Sequence, residues 1–415
     1  MNTAVLVAVG DELLSGIRRE GNCARLAWIL HDAGWRVLRM EVAPDDLSRV
    51  VEILERWVGK TELLVLSGGL GPTHDDKTRF ALAKYLGCGL AVDNALYDRV
   101  AGRYRGTSLE EPIEGSRPLQ GLIPVDSKGV YNPAGSALGI HFERSGTKVW
   151  SFPGVPFEFT AMVKQEIVPL LSQQEGNAAR TWRSLSVVGV PESRAAKRMA
   201  DVIADERLHI SILPSFGLVE FVIRGEPSLV ESAVRTARER FKDDALPEGC
   251  VTLPEAVLAT GREKGLTLSC AESCTGGLMG AALTEVPGSS AVFMGSAVVY
   301  GNEVKKKLLG VDGTLLDQYG AVSGPCAESM ARGALALYET SLAVAVTGVA
   351  GPDGGSPEKP VGTVWFAMAS RNGDAVESRS FTRRLEGGRD LVRERAVRAA
   401  LTAAWRHFNS HQPAD

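Results

Sequence analysis

The sequence of 415 residues has few histidines, only six scattered cysteines, no large excess of one charge and no long apolar run. No stretch approaches the roughly 18 apolar residues of a membrane-spanning helix, so no membrane association is expected. The net charge of −4 argues against direct nucleic-acid contact. The cysteines form no CxxC motif, and no basic segment precedes the apolar start of the chain. These absences predict a cytoplasmic protein with reduced thiols.

The sequence does contain a regular alternation of apolar strands and amphipathic helices. "AVLVAVG", "WRVLRMEVAP" and "TELLVLS" predict strands, a helix is expected over about 22–33, and Asp45 or Asp46 is expected to cap the next one. This alternation predicts an α/β domain with a parallel sheet. From about residue 173 the pattern changes to strand, helix, strand, strand, helix, and a second α/β pattern begins near 251. The predicted domains are therefore 1–172, 173–250 and 251–415.

Two loops of the first domain follow predicted strands, where α/β sheets bind their ligands. The first loop, "VGDELLSG", supplies Asp11, and the second, "SGGLGPTHDD", supplies Gly68, Gly69 and Gly71. Glycines let a backbone approach a ligand closely, and the following helix start favours an anion. Asp75 and Asp76 would repel a bare phosphate unless a divalent cation lies between them. Alternatively, one of these aspartates simply caps the helix that begins near Lys77.

The segment "LSCAESCTGGLMGAALTEV" of the last domain offers several kinds of site. Cys270 and Cys274 would make only half of a zinc site, and a phosphate loop of the Walker type would need a lysine that is absent. Ser273 is a candidate nucleophile, since the N–H groups of Gly276 and Gly277 are expected to be free to stabilise an oxyanion. The alternative is that Ser273 or Thr275 caps the helix that follows.

A serine nucleophile needs a base, and the last domain has only two histidines, His407 and His411, close to its end. This argues against a Ser-His-Asp triad. A lysine of lowered pKa, relayed through a tyrosine, is the other option, and "YGNEVKKKLLG" supplies Tyr300 and Lys305. Cys274 could attack instead, but a thiolate would call for a protonated histidine beside it, so Ser273 is favoured.

Taken together, these motifs resemble the CinA family. "GDELLSG", "GGLGPTHDDKT", "NPAGSALG" and "FPGVP" resemble its amino-terminal domain, which is similar to the molybdopterin-binding fold; relatives with that fold carry an arginine where Asp75 stands. The middle segment resembles the family's KH-like α+β module, although the GxxG loop of RNA-binding KH domains is absent. "AESCTGG", "YGNEVKKKLLGV" and "VTGVAGPDGG" resemble its carboxyl-terminal α/β amidase domain. The resemblance implies a three-part α/β chain.

The resemblance also implies activities and partners. The last domain would deamidate nicotinamide mononucleotide to nicotinic acid mononucleotide without a cofactor. The first would hydrolyse ADP-ribose to AMP and ribose 5-phosphate with a divalent metal ion (Mg, Mn or Co) at Asp75 and Asp76, and the chain would form a homodimer. Alternatives are a molybdopterin-type binding protein and a competence or recombination accessory protein.

By residue-to-residue matching with the family, Ser273 is the nucleophile, and Tyr300 and Lys305 activate it. Ser290 and Thr347 would lie on loops that face the same pocket, with Thr347 among the catalytic residues. Gly351 belongs to a glycine loop that would wrap the ribose phosphate, and Arg389 would hold the phosphate.

Overall fold

The computed structural model describes residues 2–172, 181–372 and 375–410. The chain divides into two compact units, 1–180 and 181–415. The predicted boundary near residue 173 lies outside the described residues, and the three domain ranges stay predictions. Across the described ranges, no helix combines the length and the apolar character that crossing a membrane requires.

The first unit contains a six-stranded sheet in the order β2-β1-β3-β8-β7-β6 and a small antiparallel pair, β4 with β5. Its strands are β1 Thr3–Val9, β2 Arg36–Ala43, β3 Leu63–Ser67, β4 Leu90–Val92, β5 Leu122–Pro124, β6 Lys128–Val130, β7 Gly139–Arg144 and β8 Thr147–Phe152. Its helices are α1 Asp11–Leu14, α2 Asn22–Asp32, α3 Leu47–Trp57, α4 Thr78–Leu86, α5 Asn94–Ala101, α6 Glu110–Gln120, α7 Pro156–Met162 and α8 Val168–Ser172, the last two joined by a π-helical turn.

Strand β1 shows why the centre of this sheet is parallel. Alternate residues of β1 are buried on both faces, so Val5 and Val7 pack into one core cluster while Ala4 and Leu6 pack into the other. Strands covered on both faces are typical of α/β sheets. The pairs β1 with β2, β1 with β3 and β3 with β8 are parallel, which confirms the predicted architecture. The edge formed by β7 and β6 is antiparallel.

The helix starts in this unit test the predicted capping roles of the aspartates. Asp46 accepts hydrogen bonds from the N–H groups of Ser48 and Arg49, so it caps α3 as one alternative expected. Helix α4 begins at Thr78 after Lys77, with no side-chain cap. The expectation that Asp75 or Asp76 caps this helix is therefore wrong.

The second unit begins with a three-stranded antiparallel sheet in the order β10-β11-β9. Its elements are β9 Thr181–Val188, α9 Glu192–Arg198, α10 Ala200–Ile203, β10 His209–Ser215, β11 Leu218–Gly225 and α11 Pro227–Phe241. Phe221, Ile223 and Phe241 are buried in its own core cluster. The order strand, helix, strand, strand, helix matches the sequence prediction, except that two short helices follow the first strand.

The rest of the second unit is a five-stranded mixed sheet in the order β13-β12-β14-β15-β16. Its strands are β12 Leu268–Glu272, β13 Phe293–Val298, β14 Leu342–Gly348, β15 Thr363–Asn372 and β16 Ala375–Arg384. Its helices are α12 Leu253–Glu263, α13 Leu278–Thr284, α14 Asn302–Leu309, α15 Gly313–Tyr319, α16 Gly324–Tyr338 and α17 Arg389–Ser410. Strand β12 pairs in parallel with β13 and β14, whereas β15 and β16 are antiparallel, as the mixed connections predicted.

Candidate active sites

The turn after β12 carries the candidate nucleophile. Strand β12 ends at Glu272, so Ser273 lies at the carboxyl edge of the sheet, where its N–H donates to the carbonyl oxygen of Val346 on β14 at 2.9 Å. Only 8% of Ser273 is exposed. The parallel pairing of β12 and β14 therefore fixes the backbone of Ser273 on one side of a nearly closed site.

Glu272 is the residue that holds this turn in shape. Its carboxylate is fully buried and accepts the backbone N–H groups of Gly277, Met279 and Gly280 at 2.9–3.0 Å, together with the hydroxyl of Ser296 at 2.7 Å. A carboxylate at a helix start satisfies N–H groups that have no partner within the helix. Glu272 thus takes the capping role for α13.

These contacts correct two expectations about the turn. Neither Ser273 nor Thr275 caps α13, because the N-cap residue is Gly277 and no side chain caps from that position. The N–H groups of the two glycines are not free either: Gly276 donates to the carbonyl of Ser273 at 3.2 Å, and Gly277 donates to Glu272. Gly277 is required for its conformation, since its φ of 95° disfavours other residues.

Lys305 lies directly beside the serine. It is 1% exposed, and its Nζ is 3.2 Å from Ser273 Oγ, 2.8 Å from the carbonyl oxygen of Val299 and 3.0 Å from that of Tyr300. Burial lowers the pKa of Lys305, while the nearby thiols of Cys326 and Cys274 oppose this effect. No carboxylate lies within ion-pair distance of Lys305 among the described residues.

Lys305 Nζ donates to all three of these oxygens, as a protonated amine does, and the same geometry also suits the neutral amine that forms when it loses one proton. Two of the neighbours are carbonyl oxygens, which can only accept hydrogen bonds, and a neutral amine has two N–H groups to donate to them. Its lone pair then remains for the third neighbour, the hydroxyl of Ser273. This arrangement lets Lys305 accept the proton of the serine, which is the chemistry of an activated nucleophile.

The thiol beside the serine is in a different state. Burial raises the pKa of Cys274 to about 11, and burial also raises the pKa of Cys270 well above its usual value. Both thiols are therefore protonated at neutral pH, and a protonated thiol is a poor nucleophile. Over the described ranges, the structure contains no group of three or more His, Cys, Asp or Glu side chains arranged to hold a metal ion.

Tyr300 and Arg389 form the rim of this site. Tyr300 is 62% exposed, and its hydroxyl accepts a hydrogen bond from Arg389 Nη2 at 3.2 Å. Arg389 Nη1 also donates to the carbonyl oxygen of Gly351 at 2.8 Å. The predicted relay through the Tyr300 hydroxyl is thus not present, because Lys305 reaches Ser273 directly. Thr347, next to Val346, is buried and donates its hydroxyl to the carbonyl of Ala321 at 2.9 Å.

Ser290 lies elsewhere, which corrects another prediction. It belongs to a short 3₁₀ helix before β13, and the parallel register pairs Leu268 with Phe293 and Glu272 with Val298. Ser290 is therefore at the amino edge of the sheet, whereas Ser273 is at the carboxyl edge. With a rise of about 3.3 Å per strand residue, roughly 20 Å separate the two serines. Ser290 does not face the pocket of Ser273 in this chain.

In the first unit, the two predicted loops lie side by side at the carboxyl ends of β1 and β3. Gly68 has a φ of 114°, and a side chain there would collide with the carbonyl oxygen of Val9. Likewise, a Cβ on Gly69 would collide with Thr78, and one on Gly71 would collide with Asp76. These glycines therefore allow the loop to pack against its own surroundings.

Asp76 organises this loop through its side chain. One carboxylate oxygen accepts the N–H of Gly71 at 2.8 Å, and the other accepts the N–H of Thr73 at 2.8 Å and its hydroxyl at 2.5 Å. Asp75 is more exposed: its side chain is 59% exposed beside His74, and a hydrogen bond from the Thr73 side chain lowers the pKa of its carboxyl. The adjacent aspartates therefore differ: Asp76 shapes the loop and Asp75 faces the solvent.

Other carboxylates converge on the same edge. The N–H of Asp11 donates to Asp45 at 3.0 Å. Burial raises the pKa of Asp45, and the negative charges of Asp11, Glu12 and Asp75 add to this rise, against the hydrogen bond from Asp11. Because no three of the described acidic groups form a ready metal cage, a divalent cation fits here only if ligand phosphates or water supply part of its coordination.

Comparison with known proteins identifies a matching protein family for each unit. Residues 251–407 match the family described as "CinA C-terminal domain", and residues 5–173 match "Probable molybdopterin binding domain". A CinA-like protein of Geobacter sulfurreducens is 38% identical over 410 residues, which cover 96% of this chain and 97% of the relative. A CinA-like protein of Salinibacter ruber is 36% identical over 414 residues, with 97% and 98% covered.

The chain belongs to the CinA family. The predicted resemblance is thereby confirmed, including the molybdopterin-binding-like first domain. A crystal structure of the competence/damage inducible protein CihA from Agrobacterium tumefaciens is 45% identical and covers 38% of this chain and 94% of its own, with a TM-score of 0.36.

Two residues of this CinA-family site, Glu272 and Arg393, were not predicted from the sequence. Glu272 and Arg393 both support the serine turn: Arg393 Nε donates to the carbonyl of Cys274 at 3.2 Å, and its Nη2 donates to that of Thr275 at 2.9 Å. The sequence contains one sign of the role of Glu272, namely a charged residue at the end of the apolar strand "LSCAE". It contains no sign of the role of Arg393, since this is one of several arginines on a long amphipathic helix.

Proposed function

We propose that the second unit is an amidase that converts nicotinamide mononucleotide to nicotinic acid mononucleotide and ammonia. The observation that supports this most is the buried Lys305, whose Nζ is 3.2 Å from Ser273 Oγ and whose other contacts are the carbonyl oxygens of Val299 and Tyr300. The substrate is inferred from membership of the CinA family and from the arginine at the rim of the site.

The first chemical step makes an acyl-enzyme. Ser273 Oγ attacks the carboxamide carbon while its proton moves to Lys305 Nζ. The resulting tetrahedral intermediate collapses when Lys305 returns that proton to the amide nitrogen, and the C–N bond breaks to release ammonia. Lys305 is neutral again, and the nicotinoyl group is held as an ester of Ser273.

The second step releases the acid. A water molecule gives one proton to Lys305 and attacks the ester carbon, and the ester C–O bond breaks as Ser273 Oγ takes back a proton. The product is the carboxylic acid of the nucleotide, which ionises in water. Splitting hydrolysis into two steps suits a carboxamide, which is a poor electrophile.

Residues at the rim of the site would position the substrate. Arg389 is anchored by the carbonyl of Gly351 and the hydroxyl of Tyr300, and it keeps further N–H groups for a phosphate. The glycine N–H groups are engaged, and the N–H groups of Cys274 and Thr275 face the Cys274 sulfur. Those two are the candidates in this turn for stabilising the oxyanion, and they would have to turn from the sulfur to do so.

We further propose that the first unit hydrolyses the diphosphate of ADP-ribose to AMP and ribose 5-phosphate. The favouring observation is the set of carboxylates Asp11, Glu12, Asp45 and Asp75 at one sheet edge beside the Gly68 loop. Asp75 would hold a divalent cation there, with Asp76 shaping the loop, and the cation would neutralise the charge of the diphosphate when bound.

The amidase proposal is tested by incubating the full chain with nicotinamide mononucleotide and measuring ammonia and nicotinic acid mononucleotide. Equal amounts of the two products are expected. Nicotinamide riboside, which lacks the phosphate, should react far more slowly because Arg389 has nothing to bind. No ammonia from the nucleotide, under conditions where the protein is folded, would contradict the proposal.

A further inference from the structure

A cleft rich in arginine lies within the second unit, away from the serine site. It has a volume of about 740 Å³ and is formed by strand β16, helix α17 and the loops at Gly189 and Gly217 of the three-stranded sheet. Its charged lining residues are Arg379, Arg383, Arg384, Arg398 and Arg406. A volume of this size is within the range of small-molecule sites.

The arginines reach the cleft from two elements that face each other. Arg379 and Arg383 alternate with the even-numbered residues of β16, so they share one face of that strand. Arg398 and Arg406 are separated by two helical turns, so they share one face of α17. A bound anion would therefore meet guanidinium groups on both sides.

The positive charge of this cleft is almost uncompensated. No aspartate or glutamate lines it, and within the described ranges Arg379, Arg383, Arg384 and Arg398 have no carboxylate within ion-pair distance. Only Arg406 has an acidic partner, Asp244, at 3.4 Å. Such clustering is unusual in a chain whose net charge is −4, because like charges brought together repel unless an anion lies between them.

Two aromatic rings complete the cleft. Phe216 is 43% exposed, and the guanidinium of Arg395 lies 4.6 Å from its ring centroid. Phe381 is partly exposed on the same strand face as Arg379 and Arg383, and it stacks on Phe366 with centroids 4.9 Å apart. Both rings are fixed by their neighbours. The guanidinium of Arg383 lies 5.8 Å from the centroid of Phe381, so Arg383 would have to turn toward the phosphates to admit a flat heterocycle against that ring.

We propose that this cleft binds a nucleoside polyphosphate at a site separate from that of Ser273. Several guanidinium groups match a chain of two or three phosphates, which arginine binds through paired hydrogen bonds. The rings of Phe216 and Phe381 match a nucleobase. The volume suits one nucleotide, which favours a small molecule over a nucleic-acid strand.

The test uses the full chain and ATP carrying a methylanthraniloyl fluorophore on its ribose. Binding is followed by fluorescence anisotropy for the parent, for Arg383→Gln/Arg398→Gln, and for the control Arg194→Gln/Arg235→Gln. The control removes the same charge from two exposed arginines outside the cleft. The cleft variant should bind about tenfold more weakly or worse, since hydrogen bonds to charged groups are its main contacts. The control should bind like the parent, and ammonia release should be unchanged in both.

Competition with unlabelled ligands shows whether the probe is bound through its phosphates in the cleft. Unlabelled ATP and inorganic tripolyphosphate should both displace the probe, and raising the salt concentration should weaken binding. The proposal is overturned if both double variants bind the probe as the parent does, which would place it elsewhere. It is also overturned if a single-stranded oligonucleotide of about twelve nucleotides binds the cleft and ATP cannot displace it.

Discussion

Replacing Glu272 by glutamine should loosen the turn that carries Ser273. The carboxylate accepts three backbone N–H groups and the hydroxyl of Ser296. The least damaging orientation of glutamine points its NH₂ group toward Ser296, whose hydroxyl can turn and accept. The N–H of Gly280 then loses its acceptor, while Gly277 and Met279 donate to a neutral amide oxygen instead of a charged one.

The size of the effect follows from these contacts. A buried N–H left without a partner costs about 1–3 kcal/mol, and changing two hydrogen bonds from a charged to a neutral acceptor costs about 1 kcal/mol each. The total of about 3–5 kcal/mol corresponds to roughly two to four powers of ten in the local opening equilibrium. Amidase activity should fall with it, because Ser273 is adjacent to Glu272.

Hydrogen exchange measured by mass spectrometry on the α13 segment is the direct assay. Glu272→Gln should speed exchange there by the factor above and leave the first unit unchanged. Ser296→Ala is the matched control: it removes one donor and leaves the three N–H contacts, so its effect should stay within about tenfold. Parent-like protection in Glu272→Gln, or an equal loss in Ser296→Ala, would refute the assigned role of the carboxylate.

Three further predictions concern the two proposed activities. Ser273→Ala should lower ammonia release by several orders of magnitude, and Cys274→Ser should lower it far less. Lys305→Ala and the Ser273/Lys305 double variant should release ammonia about as slowly as Ser273→Ala. An active Ser273→Ala together with an inactive Cys274→Ser would instead make Cys274 the nucleophile. Because the neutral amine is the base and burial lowers the pKa of Lys305, kcat/KM should rise with pH with an apparent pKa below that of a free lysine, whereas Lys305→Arg, always protonated, should be inactive at every pH. Excess EDTA, like Asp76→Ala, should stop ADP-ribose hydrolysis and spare ammonia release; a chelator-sensitive amidase restored by added metal would contradict the serine–lysine mechanism.

Much of the fold was predictable because its signals are local. Continuous burial of β1 and β14 appears in the sequence as runs of apolar residues, and the capping role of Asp46 follows from its residue type. The role of Lys305 could also be predicted, since the lack of a suitable histidine left few other bases for a serine nucleophile.

The predictions that were wrong concern features that depend on which chain segments meet in space. Ser290 lies at the opposite sheet edge because β13 runs parallel to β12, a register that no residue near Ser290 encodes. The N–H groups of Gly276 and Gly277 were expected to be free, but the turn folds back on itself and brings them to the carbonyl of Ser273 and the carboxylate of Glu272. Similarly, the distinct roles of Asp75 and Asp76 arise from a loop closing on itself through Thr73 and Gly71.

Helix α17 ties the serine site to the order in which the chain is synthesised. Ser273 and Lys305 are made well before Arg389 and Arg393, which are on the first turns of this helix. The same helix supplies buried side chains along its length, including Trp405 and Phe408, to the core beneath β12. Since domains fold from the amino terminus during translation, the first unit can mature while the second still has an open sheet face and an unsupported nucleophile. The proposed amidase activity would therefore start only when the last residues of α17 have left the ribosome.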